Sequence, residues 1–87
     1  MFLYKLSNGN YITVGEMSAS SLYSYDYWDG KTKKLIDGGV FECESDNRED
    51  ILAEALSWCD LPADIGWKLV EEYIEYDDLE RMGFSGF

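Results

Sequence analysis

Apolar and polar positions alternate in short runs over the first half of the chain, which is the period of a half-buried β-strand. Turn residues separate the runs: Asn-Gly at positions 8–9, Asp-Gly at 29–30 and Asp-Gly-Gly at 37–39 are typical of hairpin turns. The pattern predicts an antiparallel meander of four to five short strands within residues 1–44. The predicted runs are 2–6, 11–14, 22–28, 34–36 and 40–43.

The second half of the chain follows a helical period instead. Asp46 and Glu49 have the spacing of a capping box, and Ser45 is an alternative cap. Apolar residues then recur on one stripe up to position 59, and a second stripe begins after Pro62, since proline is tolerated in a first helical turn. Residues 77–82 either extend this second helix or form a separate turn, with Gly83 as a candidate C-terminal cap.

These elements predict an α+β fold of a single domain, residues 1–87, in which two to three helices over residues 46–82 pack on one face of the sheet. A chain of 87 residues has room for one modest hydrophobic core. The apolar helical stripes supply the predicted core residues, which are Leu52, Leu56, Leu69, Tyr73 and Ile74.

The charge of the chain is strongly unequal along its length. Eighteen residues are Asp or Glu and seven are Lys or Arg, for a formal net charge of −11. Residues 1–43 carry −1 of this charge and residues 44–87 carry −10. A field of one sign attracts basic surfaces and repels nucleic acid and anionic membranes.

A dense group of these acids falls in and just after the second predicted helix. Glu71, Glu75 and Asp78 have the spacing i, i+4, i+7, with Glu72 and Asp77 nearby, so a helix would place them on one side. Like charges at this spacing destabilise a helix by about 0.2–0.5 kcal/mol per pair. Binding of a basic partner would explain that cost, and we predict these five residues as a partner-binding site; the alternative is a heavily solvated surface.

A tyrosine-rich segment is the second candidate site. In a strand, Tyr23, Tyr25 and Tyr27 line one face, and Asp26 lies on the other. Tyrosine mixed with serine, glycine and aspartate resembles an antibody paratope in composition. These four residues are therefore an alternative partner-binding site, unless the rings fill the space between the sheet and the helices as core.

The residues for catalysis are missing. The chain has no histidine, which removes the commonest general base and the Ser-His and Cys-His nucleophile pairs. Cys43 and Cys59 cannot complete a four-ligand zinc site and are predicted to be free thiols. Asp77, Asp78 and Glu80 lack the spacing of an EF-hand loop. We predict no enzymatic activity, no metal site and no cofactor.

In its size, its lack of catalytic groups and the acidic segment of residues 71–80, the chain resembles the small acidic inhibitors of phages and mobile elements, the anti-CRISPR and antirestriction proteins. Several of these mimic DNA. The resemblance implies that carboxylates stand in for phosphates and contact the Lys and Arg residues with which a partner enzyme holds DNA or RNA. The alternative is a protein-interaction module without mimicry, such as an adaptor, immunity protein or antitoxin, that binds through the tyrosine-rich strand.

Both interpretations predict a basic protein as the partner, which under mimicry is a nucleic-acid-binding one, and neither requires direct contact with nucleic acid or a membrane. The first residues turn polar too quickly for a signal peptide, and no apolar run approaches the ~20 residues of a membrane span. A soluble, cytoplasmic protein is therefore predicted.

Overall fold

The computed structural model describes residues 1–17 and 21–86. It confirms the α+β class: a five-stranded antiparallel sheet is combined with two short helices. The elements in chain order are β1 (Phe2–Leu6), β2 (Tyr11–Glu16), β3 (Leu22–Trp28), β4 (Leu35–Glu42), α1 (Arg48–Trp58), β5 (Trp67–Glu71) and α2 (Tyr76–Arg81). The spatial order of the strands is β4-β3-β2-β1-β5, so the first four form the predicted meander.

The hairpin turn between β1 and β2 lies where the sequence predicted it. Gly9 has a φ of 91°, in the left-handed region that glycine enters without steric cost, and its N–H donates to the carbonyl of Leu6 at 2.9 Å. The turn after β3 packs against the first one. The N–H of Gly30 donates to Oδ1 of Asn10 at 2.9 Å, and a Cβ on Gly30 would collide with the carbonyl oxygen of Gly9.

The third predicted turn, at 37–39, is wrong, because these residues lie in the middle of β4 and pair with β3. Gly39 stands opposite Tyr25, and a Cβ on Gly39 would lie 3.2 Å from the Tyr25 ring. The glycine therefore provides room for a core ring within a strand, a role that turn composition does not reveal.

The second predicted helix is also wrong over most of its length. Residues Trp67–Glu71 form β5, which pairs antiparallel with β1 at the edge of the sheet, and only Tyr76–Arg81 is helical in this region. The short apolar run fits a strand period as well as a helical one. Pairing with β5 also satisfies backbone groups of β1 that would otherwise face solvent at an open edge.

The predicted core is confirmed for three of its five residues. Leu52 and Leu56 are buried in α1, and Ile74 is buried in the segment after β5. Leu69 is half-buried because it lies on an edge strand. Tyr73 is 85% exposed, since it lies in a bend rather than on the inner side of a helix.

The two helices lie on opposite faces of the sheet, not on the one face predicted, and each face has its own cluster of buried residues. Alternate residues of a strand point to opposite faces, so the tyrosines of β3 face α1 while Trp28 faces α2. The first cluster includes Tyr4, Ile12, Val14, Tyr25, Phe41, Leu52 and Leu56. The second consists of Leu3, Trp28, Ile74, Leu79 and Phe84.

The helix ends follow local rules closely. The predicted caps Ser45 and Asp46 are wrong by one or two positions: the N-cap of α1 is Asn47, whose Oδ1 accepts the N–H of Glu49 at 2.8 Å. Gly83 follows the C-terminal end of α2 with a φ of 97°, the conformation predicted for it. The chain then returns to the sheet, where the region around position 85 pairs with the start of β4.

Candidate functional site: an acidic surface around Ile74

The acidic residues predicted to bind a partner do not share one helix. Glu71 ends β5, Glu75 is the N-cap of α2, and Asp77 and Asp78 lie in the first turn of α2. The predicted i, i+4, i+7 stripe is therefore wrong in its geometry, because a strand, a bend and a short helix replace the continuous helix.

The bend at residues 72–73 nevertheless brings most of these carboxylates to the surface around Ile74. The N–H of Ile74 donates to the carbonyl of Met1 at 3.0 Å, and the Met1 amino group donates to the Ile74 carbonyl at 3.1 Å. This pair of bonds, with the buried Ile74 side chain, fixes the segment between β5 and α2 against the start of β1.

A shallow groove opens on each side of Ile74. One, of about 360 Å³, is lined by Glu71, Tyr73, Ile74, Asp78, Arg81 and Met82. The lining of the other, of about 450 Å³, includes Gly15, Glu16, Ile74, Glu75, Tyr76 and Asp77. We call the carboxylates of the two grooves the acidic surface: Glu16, Glu71, Glu75, Asp77 and Asp78. Sequence reasoning missed Glu16, which lies 55 positions before Glu71 and joins the surface only through the fold.

The negative charge of the acidic surface is weakly compensated. Arg81 donates to Oδ1 of Asp78 at 3.0 Å, and among the described residues no other Lys or Arg side chain lines either groove. Exposed ion pairs of this kind contribute only about 0.2–1 kcal/mol. Oδ2 of Asp78 also accepts the N–H of Glu75 at 3.0 Å, so this carboxylate has a structural role at the start of α2.

Glu72, also predicted as part of the site, lies apart from the acidic surface. Its Oε1 accepts a hydrogen bond from Nη2 of Arg48 at 3.0 Å. The Arg48 guanidinium lies 4.6 Å from the centre of the Phe2 ring as well. Glu72 is therefore engaged within the molecule, on the α1 side of the sheet.

Tyr73 is the functional candidate that sequence reasoning placed in the core. The side chain is 85% exposed and lines the groove that contains Glu71 and Asp78, together with the exposed Met82. Exposed tyrosines rimmed by polar groups are common among the residues that dominate binding energy at interfaces. Its charged neighbours in the sequence Glu-Glu-Tyr-Ile-Glu are no sufficient signal for this exposure, because Ile74 in the same stretch is buried.

The tyrosines of β3 have the opposite placement. Tyr23, Tyr25 and Tyr27 are buried between the sheet and α1. The hydroxyl of Tyr27 accepts hydrogen bonds from Nδ2 of Asn8 at 2.9 Å and of Asn10 at 2.8 Å. Their burial supports the interpretation of these rings as core and leaves their faces unavailable to a partner in this structure.

Asp26, the fourth residue of the tyrosine-rich alternative, faces α2. Its Oδ2 accepts a hydrogen bond from the Tyr76 hydroxyl at 2.9 Å. Burial raises the pKa of Asp26, and hydrogen bonds from Tyr76 and Thr13 oppose that shift. Burial, with the hydrogen bond to Asp26 and its charge, raises the pKa of Tyr76 to about 12. Asp26 therefore connects β3 to the helix that carries part of the acidic surface.

We expect the folded protein to lose stability in alkaline solution. Burial raises the pKa of Tyr76 from 10.0 and that of Cys59 from 9.0, each to about 12, and it raises the pKa of Tyr4, Tyr23 and Tyr25. A group with a raised pKa in the folded state contributes stability that is complete below its unfolded pKa and is lost as pH rises through the folded pKa.

Urea denaturation between pH 7 and 12 checks this expectation. The free energy of unfolding should begin to fall near pH 9 and continue to fall towards pH 12. Tyr76→Phe should make the decline between pH 10 and 12 shallower, because one of the linked protons is removed. Unfolding free energy that stays constant up to pH 11.5 would contradict the raised pKa values of these groups.

Within residues 1–17 and 21–86, no group of three or more His, Cys, Asp or Glu side chains could hold a metal ion, and Cys43 and Cys59 are free, half-buried thiols. No helix within these ranges is long and apolar enough to cross a membrane.

Comparison of the chain with protein-family models gives no match, and comparison with curated proteins and with solved structures gives none either. The fold and the surface thus define an α+β protein with an acidic, tyrosine-bearing face.

Proposed function

We propose that the protein is an inhibitor that binds a basic, nucleic-acid-binding surface of a partner enzyme and occupies the place of DNA or RNA. This is the action expected of the anti-CRISPR and antirestriction proteins that the sequence resembles. The carboxylates of the acidic surface take the place of phosphates and contact the partner's Lys and Arg side chains.

One observation carries this proposal. Carboxylates from β2, β5 and the region of α2 converge on two adjoining grooves around Ile74, although β2 is far from the other two elements in sequence. Concave surfaces lined by one sign of charge concentrate the field and accelerate association with an oppositely charged partner. The shape and the charge of the face both fit a protruding basic surface.

A non-mimic interaction module is the second candidate, and Tyr73 is the observation that favours it. A tyrosine that is 85% exposed offers a rigid contact at low conformational cost. Binding through Tyr73 would depend on apolar contact, so its affinity would change little with salt. Mimicry instead requires an affinity that falls steeply with salt, because exposed charges are screened beyond about 8–10 Å.

Capture of the partner with three immobilised proteins tests the proposal: the natural sequence, Glu71→Lys/Asp77→Lys, and the control Glu54→Lys/Asp64→Lys. Both variants change the net charge equally, but the control residues are exposed and line neither groove. The natural protein and the control should retain a basic nucleic-acid-binding protein that the first variant loses. Two results would contradict mimicry. One is retention of the partner by all three proteins, and the other is that added nucleic acid releases the partner from none of them.

A further inference from the structure

A more enclosed cavity, of about 210 Å³, lies between the start of α1 and the tyrosine face of the sheet. Its walls include Phe2, Tyr4, Glu16, Tyr23, Asp46 and Arg48. Glu16 and Gly15 also line one groove of the acidic surface, so the cavity and that surface meet at the end of β2. A partner bound across the acidic surface would therefore reach the mouth of this cavity.

The guanidinium of Arg48 forms part of the cavity wall. The Cζ atom of Arg48 lies 4.6 Å from the centre of the Phe2 ring, and its Nη2 donates to Oε1 of Glu72 at 3.0 Å. An aromatic face combined with a carboxylate is a favourable environment for a planar cation. Because Glu72 neutralises Arg48, the remaining charge of the lining comes from Glu16 and Asp46 and is negative.

The cavity offers a ligand hydrogen-bond acceptors, namely the carboxylates of Glu16 and Asp46 and the hydroxyl of Tyr4. Within the described residues, the carboxylates of Glu16 and Asp46 have no ion pair. Tyr4 is 1% exposed, and the structure shows no hydrogen bond from its hydroxyl within the same ranges. Every fully buried polar side-chain atom in those ranges has a hydrogen-bond partner. Because the Tyr4 hydroxyl has none within them, it is not fully buried and reaches open space, and Tyr4 lines two clefts beside Arg48. A guanidinium has five N–H donors and no acceptor, which complements this set.

The size of the cavity restricts the ligand further. At about 210 Å³ it is smaller than the roughly 300–1,000 Å³ typical of sites for drug-sized molecules, which favours a single side chain. We infer that the cavity is an anchor pocket for one arginine side chain of the partner, held between the aromatic walls with its N–H groups on Glu16 and Asp46. This inference rests on the proposed function for the source of the arginine, but the pocket itself is testable without a partner.

The test uses N-acetyl-arginine amide as the probe and N-acetyl-citrulline amide, a neutral molecule of nearly the same shape, as its control. Both are titrated into the ¹⁵N-labelled protein and followed by amide chemical shifts. The arginine probe should give saturable shifts at Phe2, Gly15, Glu16 and Tyr23, with a dissociation constant on the order of 1 mM, the range expected for a fragment. The citrulline probe should bind at least tenfold more weakly.

Two double variants complete the test. Glu16→Gln/Asp46→Asn should weaken binding of the arginine probe at least tenfold, whereas Glu54→Gln/Asp64→Asn, with the same change of charge, should leave it within twofold. The amide spectrum of each variant verifies that it is folded. No saturable shift up to about 20 mM probe, well above the expected constant, would overturn the inference, as would equal binding of citrulline or equal effects of the two variants. Failure here would leave the acidic-surface proposal standing, because the capture experiment does not change Asp46 or Glu16.

Discussion

Replacing Trp28 by alanine should lower the free energy of unfolding by about 3–5 kcal/mol, the range for large aromatic side chains removed from a core. Trp28 is 0% exposed, and its ring meets that of Phe84 edge-on with centroids 5.1 Å apart. Its Nε1 donates to Oγ1 of Thr13 at 3.2 Å, so truncation also leaves a buried hydroxyl without this bond. A small domain has a total stability of about 5–15 kcal/mol, and such a loss approaches the lower limit.

Trp58→Ala is the matched control for this experiment. Trp58 ends α1 and is 54% exposed, so the same chemical change removes little buried area. Urea denaturation should show a loss below about 1 kcal/mol for this variant, as is usual for surface positions. Similar losses for the two tryptophans would contradict the assignment of a second core beneath α2 and the C-terminal segment.

Reversing two charges of the acidic surface should have the largest effect on binding. Glu71→Lys/Asp77→Lys should weaken binding of the captured partner about a hundredfold, which is ~2.8 kcal/mol at about 1.4 kcal/mol per factor of ten. The loss should appear in both rates, because the reversed charges repel the partner during encounter and the lost contacts with its Lys and Arg side chains speed dissociation. The dependence of affinity on salt should also become shallower, since fewer ionic contacts remain.

Glu71 and Asp77 are chosen for reversal because neither has an ion pair within the described ranges. Asp78 is left unchanged, because it accepts the N–H of Glu75 and its reversal would disturb the start of α2. Reversal of Asp77 forfeits a favourable interaction with the helix terminus, worth about 0.3–1 kcal/mol, so circular dichroism should verify the fold. A binding loss of less than threefold, or one shared by Glu54→Lys/Asp64→Lys, would contradict the role of this surface.

Local signals in the sequence were sufficient where a short segment determines its own structure. Asn8 and Gly9 form a turn because glycine supplies the left-handed conformation, and that signal does not depend on the rest of the chain. The apolar stripe of α1 and the glycine after α2 are also signals that lie within a short segment of the sequence. The class of fold followed from these elements alone.

The sequence alone did not predict the secondary structure of segments whose conformation depends on pairing with a distant part of the chain. The apolar residues of the segment Trp67 to Glu71 have a spacing that suits a helix. The segment forms a strand instead because it pairs with the open edge of β1. Gly39 has the composition of a turn, but the ring of Tyr25 requires its missing side chain. Neither neighbour can be identified from the local sequence.

The acidic residues lie on a common surface although the helix predicted to group them is wrong. Glu71, Glu75 and Asp78 were grouped by helical spacing, and the bend at residues 72–73 groups them by a different geometry. Glu16 and Tyr73 join that surface through long-range contacts and a local bend, so helical spacing could not include them correctly.

Displacement of nucleic acid from the captured partner is the decisive experiment for mimicry. The partner is bound to its fluorescently labelled DNA or RNA, and fluorescence anisotropy is followed as the protein is added. If the acidic surface mimics nucleic acid, the natural protein and the Glu54→Lys/Asp64→Lys control should each displace the nucleic acid at near-equimolar amounts. The Glu71→Lys/Asp77→Lys variant should require about a hundredfold higher concentration for the same displacement. A partner that binds the protein and its nucleic acid at the same time, with anisotropy unchanged, would contradict the account.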